Sequence, residues 1–188
     1  WRKALSVYFD RRMLVMVLLG FSSGFPLLLV FGTLNLWLKD AGISYAAIGL
    51  LSLVKTPYSF KWAWSPIIDR IRLPLFCRLG RRRGWAFFIQ IILLFSILGM
   101  STVEPAATPF TMAFFAVLVT VASASQDIVL DAYRIESFNS KEQGAGVAVF
   151  VLGYRFGLVF SGAGAIWMAS AMDWNDVYKI MALGTIVG

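Results

Sequence analysis

No histidine occurs among the 188 residues, and Cys77 is the single cysteine. The first absence removes imidazole as a proton carrier or metal ligand. The second excludes a disulfide framework and a cysteine-rich metal site. Acidic residues are scarce as well, ten against seventeen Lys and Arg, so any proton coupling falls on a few carboxylates. Charged residues make up 14% of the chain, where a soluble domain carries about a quarter. Apolar residues fill the difference: 59% of the chain is hydrophobic and the mean hydropathy is +0.76. A soluble core has no use for that excess, whereas a bilayer does. The net charge of +7 would suit a nucleic-acid partner if it formed one patch, but the cations are split among alternate loops, and no nucleic-acid partner is expected.

A crossing helix needs roughly 20 apolar residues to match a hydrocarbon core about 30 Å thick. Five complete candidates can be read off: Met13 to Trp37, Tyr45 to Ile68, Gly84 to Met100, Pro109 to Tyr133, and a stretch within Gly144 to Met172. A sixth begins near Val177 and is cut at Gly188. The expected fold class is therefore an all-α integral membrane protein. Residues 1–12 form a juxtamembrane segment too charged for a signal peptide, and 13–188 hold helices one to five with the start of helix six. A chain that opens on Trp1 and ends inside an apolar run reads as a portion of a longer protein.

Orientation follows from the loops. Arg2, Lys3, Arg11 and Arg12 precede the first span. Arg70, Arg72, Arg78 and Arg81 to Arg83 separate the second from the third, and Arg134 and Lys141 follow the fourth. The opposite loops hold only Lys39 and Lys179, near their ends. Because Lys and Arg stay on the cytoplasmic side, the amino terminus is expected there. Gly20 with Gly24, and Gly153 with Gly157, give the small-residue spacing that lets helices approach closely. Pro26 and Pro57 interrupt the first and second spans.

Lys55, Lys61, Asp127, Asp131 and Arg155 fall within apolar spans, where charge is costly and usually faces a protein interior or a wet cavity. At 1.5 Å per residue, Lys55 lies about 21 Å inward from Asp69 and Arg155 about 20 Å from Glu142. Each either pairs with a carboxylate or offers positive charge to an anionic substrate. Lys61, about 12 Å in, can snorkel to the interface. Asp127 and Asp131, four apart, share one helix face, an arrangement suited to reversible protonation unless a nearby cation counters it. Asp127 leads as the proton-coupling candidate, and Asp131 doubles as a local partner for Arg134. No metal-ligand cluster or nucleophile–base arrangement is visible, so neither an enzyme nor a bound cofactor is expected.

Three blocks carry a family resemblance: GFSSGFPLLLVFGTLNLWLKDAG at 20–42, KTPYSFKWAWSPIIDR followed by GRRRGW at 55–85, and SASQDIVLDAYRIE at 123–136. In that order they resemble the AmpG-like permeases of the major facilitator superfamily, which are related to acetyl-coenzyme A transporters. The resemblance implies two six-helix halves, this chain being the amino-terminal one, with the carboxy-terminal half as its partner. It further implies a bacterial inner membrane and proton-driven import of an anhydromuropeptide, an anionic glycopeptide from peptidoglycan turnover. Protons and membrane lipids are the remaining partners. Asp69 and Arg70 with Arg81 to Arg83 match the superfamily's loop signature, although Arg72, Leu73, Pro74 and Cys77 interrupt its short spacing. Asp69, Arg70 and Arg134, with Asp131, are the expected gating network, and Lys55 and Arg155 the expected substrate contacts. An acetyl-coenzyme A or other anionic-solute transporter, and a non-transporting membrane receptor or assembly protein, remain as alternatives.

Overall fold

The computed structural model describes residues 10–71, 73 and 80–187. Arg2, Lys3, Arg72, Pro74, Cys77 and Arg78, and with them most of the juxtamembrane segment, lie outside the described residues.

The first span is α1 (Arg11–Leu28), a π-helical turn (Leu29–Thr33) and α2 (Leu34–Asp40). Asp10 caps α1, its carboxylate accepting from the Arg12 backbone N–H at 3.0 Å and the Arg12 side chain at 2.9 Å. These bonds hold the Asp10 carboxyl below its ordinary range. Pro26 lies within α1, and the helix loosens into its π turn three residues later. Side chains meet the loosened carbonyls. Thr33 donates to the oxygens of Leu28 and Leu29 at 3.1 Å, and the fully buried Tyr178 hydroxyl donates to Leu29 at 2.7 Å.

The second span departs from the single helix expected over Tyr45 to Ile68. It is broken into α3 (Tyr45–Leu51), a 3₁₀ turn (Ser52–Lys55), α4 (Thr56–Ser59), a second 3₁₀ turn (Lys61–Ala63) and α5 (Ser65–Arg70). Pro57 and Pro66 sit in the first turns of α4 and α5, and neither can donate a bond back into the preceding segment. Tight bonds from Phe60 N–H to the Pro57 oxygen and from Ala63 N–H to the Phe60 oxygen take over.

The third span, α6 (Arg81–Ser101), starts three residues before the expected Gly84, after Gly80 at φ +83°. Three arginines therefore occupy the positive end of a helix dipole, and they need carboxylates nearby. The fourth, α7 (Pro109–Ser137), has 29 residues, about 44 Å of helix, and runs four residues past the expected Tyr133. The fifth is α8 (Gln143–Val159), a π turn (Phe160–Gly164) and α9 (Ala165–Ala169). The sixth is α10 (Trp174–Gly184) with a 3₁₀ turn (Thr185–Val187). Among the described residues four helical stretches are long and apolar enough to cross a membrane: 11–40, 81–101, 109–137 and 143–169. The second span is too interrupted and α10 too short to meet that test.

The spans pack into an all-α bundle. Glycines make the closest seam, between α1 and α8. A Cβ on Gly20 would strike the Phe150 carbonyl, one on Gly24 the Tyr154 carbonyl, one on Gly153 the Val17 carbonyl and one on Gly157 the Phe21 carbonyl. Backbone thus meets backbone on both sides. At the end opposite the arginines, the Trp174 indole donates to Asp40 at 2.9 Å and the Trp174 ring stacks on Trp37, stitching the sixth span to the first.

Candidate functional site

The buried polar groups of α7 follow one face: Ser123, Gln126 and Asp127 are at most 8% exposed. A carboxylate so placed needs partners, because an uncompensated charge is costly to bury. Asp127 finds them on two other spans. Its Oδ1 accepts from Ser23 of α1 at 2.5 Å, and its Oδ2 accepts from the Tyr58 hydroxyl of α4. The Lys61 ammonium lies 3.9 Å from the same Oδ2, nearer an ion pair than the snorkelling position its sequence depth allowed. Asp131, one turn further along α7, is held by Arg134 at 2.9 Å.

Beside the carboxylate runs a neutral network. The Gln126 amide donates to Ser22 at 2.8 Å and to the Gln90 oxygen at 2.7 Å, and the Gln90 amide donates to the Thr185 carbonyl. Four spans meet there, so the polar face of α7 serves as the bundle's internal reference.

Lys55 and Lys61 flank two aromatic rings. The Lys55 ammonium donates to the Phe31 carbonyl at 3.4 Å and stands 5.4 Å from the centre of the Phe31 ring. Phe31 packs edge-on against Tyr58 at 5.8 Å, and Lys61 lies 5.3 Å from the centre of the Tyr58 ring. The Phe31 carbonyl belongs to the π turn of the first span and also accepts from the Asn35 side-chain amide at 3.4 Å. Lys55 has no carboxylate within ion-pair distance among the described residues. Arg155 is exposed on the far side of α8 from the glycine seam, and Tyr154 beside it stands within electrostatic reach of both Arg155 and Asp127.

At the arginine-rich end the pairing differs from the expected one. Asp69 is bound by Arg82 at 2.5 Å, and Arg82 also donates twice to Glu136, at 3.0 and 2.9 Å. Arg81 approaches Glu136 at 3.9 Å. Arg134 turns to Asp131, its neighbour on the same helix face, and carries its guanidinium over Phe150. Arg70 is exposed and outside this cluster. Arg82 is thus the hub, joining the end of the second span to α7, while Asp69 and Glu136 neutralise part of the arginine cluster at the start of α6. The expected partners of Asp69 were Arg70 and Arg134, and residue type alone does not distinguish them from Arg82. Ser23, Tyr58 and Glu136 likewise lacked a signal, beyond the paired serines of GFSSG and the closing Glu of SASQDIVLDAYRIE.

A family model described as Acetyl-coenzyme A transporter 1 matches residues 12–108, just over half of the chain. The chain is 43% identical over 179 residues to the anhydromuropeptide permease of Escherichia coli strain K12, a match covering 95% of this chain and 36% of that protein. The chain belongs to the AmpG-like permease family. Within that family it is 32% identical to putative transporter AmpG 4 of Rickettsia felis, covering 94% of this chain and 43% of the relative. It is 37% identical to an uncharacterized protein of Haemophilus influenzae, covering 97% and 42%. The chain thus spans less than half the length of these curated relatives. Two of these relatives are named as a permease and a putative transporter, and the four long apolar helices of this chain are those of a multi-pass membrane protein.

Proposed function

We propose that the full-length protein imports anhydromuropeptides into the cytoplasm with protons, for cell-wall recycling, and that this chain is its amino-terminal six-helix half. One observation carries the proton part: a carboxylate buried among three spans, held by two hydroxyls and a distant lysine rather than locked in a close ion pair. Asp127 takes and releases the proton, with Asp131 its second. Lys55 and Arg155 supply positive charge for the carboxylates of the glycopeptide. Lys55 suits that role because a carbonyl and a ring hold it without neutralising it. Exposed apolar side chains such as Phe95, Phe114 and Trp167 face lipid or the carboxy-terminal half.

Asp69, Arg70 and Arg134 belong to the gating end. There the Asp69–Arg82–Glu136 cluster closes one access state, and its release accompanies rocking of the halves. The amino terminus lies in the cytoplasm. Single cysteines placed at Arg81 and Lys141, in a background without Cys77, should react with a membrane-impermeant thiol reagent only from the cytoplasmic face. Labelling from the periplasm would invert the topology.

A second reading, transport of acetyl-coenzyme A, is favoured by the description of the matching family model. Reconstitution of the full-length protein into proteoliposomes separates the two. Labelled anhydromuropeptide should enter when the outside is acidic, unlabelled acetyl-coenzyme A should not compete, and Lys55→Gln or Arg155→Gln should weaken uptake of the glycopeptide at unchanged protein abundance. Uptake of acetyl-coenzyme A without glycopeptide uptake would replace the first reading by the second, and transport of neither would leave a receptor.

A further inference from the structure

We propose that Lys61 is shared between Asp127 and the substrate, so that a substrate carboxylate binds only by displacing Asp127 from this lysine and protonation of Asp127 is what permits the exchange. The inference rests on the functional reading above, in which the cargo bears carboxylates and Asp127 carries the proton.

The geometry is that of a loosely held cation. At 3.9 Å, the Lys61 contact is the longest of the three that Asp127 makes, close to the limit of an ion pair. The lysine side chain is 39% exposed while the Asp127 side chain is 11% exposed, so one partner faces an open surface and the other does not. Lys61 also begins a 3₁₀ turn of the broken span, where no regular helix fixes its direction. The Tyr58 ring at 5.3 Å gives the ammonium a second seat. No other carboxylate lies within ion-pair distance of Lys61 among the described residues.

The groups that face Asp127 leave few alternatives. From the first span comes the uncharged Ser23 hydroxyl, and from the second Tyr58 and Lys61. The third span brings the neutral Gln90 to the adjoining Gln126. The fifth brings Tyr154 within electrostatic reach, with Arg155 beyond it, and on α7 itself Asp131 is occupied by Arg134. Lys61 is therefore the cation that Asp127 can release to an anion arriving from the open side. The exchange balances. A solvent proton adds to an Asp127 carboxylate oxygen, forming one O–H bond; the Lys61 ammonium keeps its own protons and pairs with the incoming carboxylate. Tyr58 can hold the neutral acid by turning its hydroxyl from donor to acceptor. One negative charge and one proton enter the site together.

The test is a binding titration across pH with the full-length protein and an anhydromuropeptide, alongside the same compound with its carboxylates amidated. Wild-type affinity should weaken as pH rises, because ionised Asp127 recaptures Lys61. Asp127→Asn should bind tightly at every pH. Lys61→Gln should bind weakly at every pH, about tenfold or more below wild type in acid. The double variant should match Lys61→Gln alone, since the competitor no longer matters once the lysine is gone. Lys61→Arg should restore the pH dependence, and the amidated ligand should bind weakly and without pH dependence to the wild type. The last two arms probe the same contact without removing the charged side chain, so they hold even if Lys61→Gln does not fold. Wild-type-like, pH-dependent binding by Lys61→Gln, or pH-dependent binding of the amidated ligand, would overturn the exchange while leaving the importer intact. No glycopeptide binding at any pH would overturn both.

Discussion

Asp127→Asn should abolish uphill transport while leaving the protein folded. With the membrane potential clamped to zero and one proton carried per substrate, each imposed pH unit supplies about 1.4 kcal/mol, a roughly tenfold accumulation. The variant should bring the substrate ratio across the vesicle to about one at every imposed gradient. Asparagine keeps the size of the carboxylate; its oxygen accepts from one of the Ser23 and Tyr58 hydroxyls, and its NH2 donates to the other, which turns from donor to acceptor, so folding should hold. Counterflow, which needs no gradient, should persist. An Asp69→Asn variant provides the contrast: it removes the charge that Arg82 pairs with and should slow cycling without changing the accumulation ratio. Full proton-driven accumulation by Asp127→Asn would remove this carboxylate from the coupling mechanism.

The second large effect concerns the glycine seam. Gly153→Leu should remove most of the folded protein from the membrane. A Cβ there meets the Val17 carbonyl and the Phe21 backbone nitrogen, and backbone atoms cannot rotate aside as a side-chain end can. The cost should exceed the ~1–3 kcal/mol typical of overpacking, because the helices themselves must separate. Gly49→Ala is the matched control. Nothing lies within 4 Å of a Cβ at that position, and alanine favours a helix by about 1 kcal/mol. Membrane abundance and thermal unfolding in detergent would register both. Wild-type abundance for Gly153→Leu would mean that the α1–α8 seam can open without loss.

The seam was legible because its four glycines repeat at a helical spacing, and the first, third, fourth and fifth spans were legible because lipid demands a fixed length of apolar chain. The burial of Asp127 could also be anticipated from its depth on α7. The interior of the second span could not. Pro57 signalled an interruption, but whether a helix kinks or breaks into 3₁₀ turns depends on which neighbours satisfy the freed backbone groups. The partner of Asp69 was hidden for another reason. Arg70, Arg82 and Arg134 are chemically equal, and only the orientation of α5 against α6 and α7 selects Arg82. Lys61 looked like a residue reaching for the interface because its depth permits that; Tyr58 is its near neighbour in the same span, but the Asp127 carboxylate that detains it comes from a different span.

The two π turns, Leu29–Thr33 and Phe160–Gly164, lie in the two spans joined by the glycine seam and touch each other. A π turn holds one residue more than an α turn, which advances everything beyond it by about 100° around the helix axis. In the terms of sequence comparison, each turn behaves as a single-residue insertion, and the first and fifth spans carry one apiece at the same level of the bundle. A helical wheel drawn straight through either span assigns the residues beyond the turn to the wrong face, and an alignment with a helix lacking that turn acquires a one-residue gap in mid-membrane. The gap then marks a change of facing within a span rather than a loop between spans.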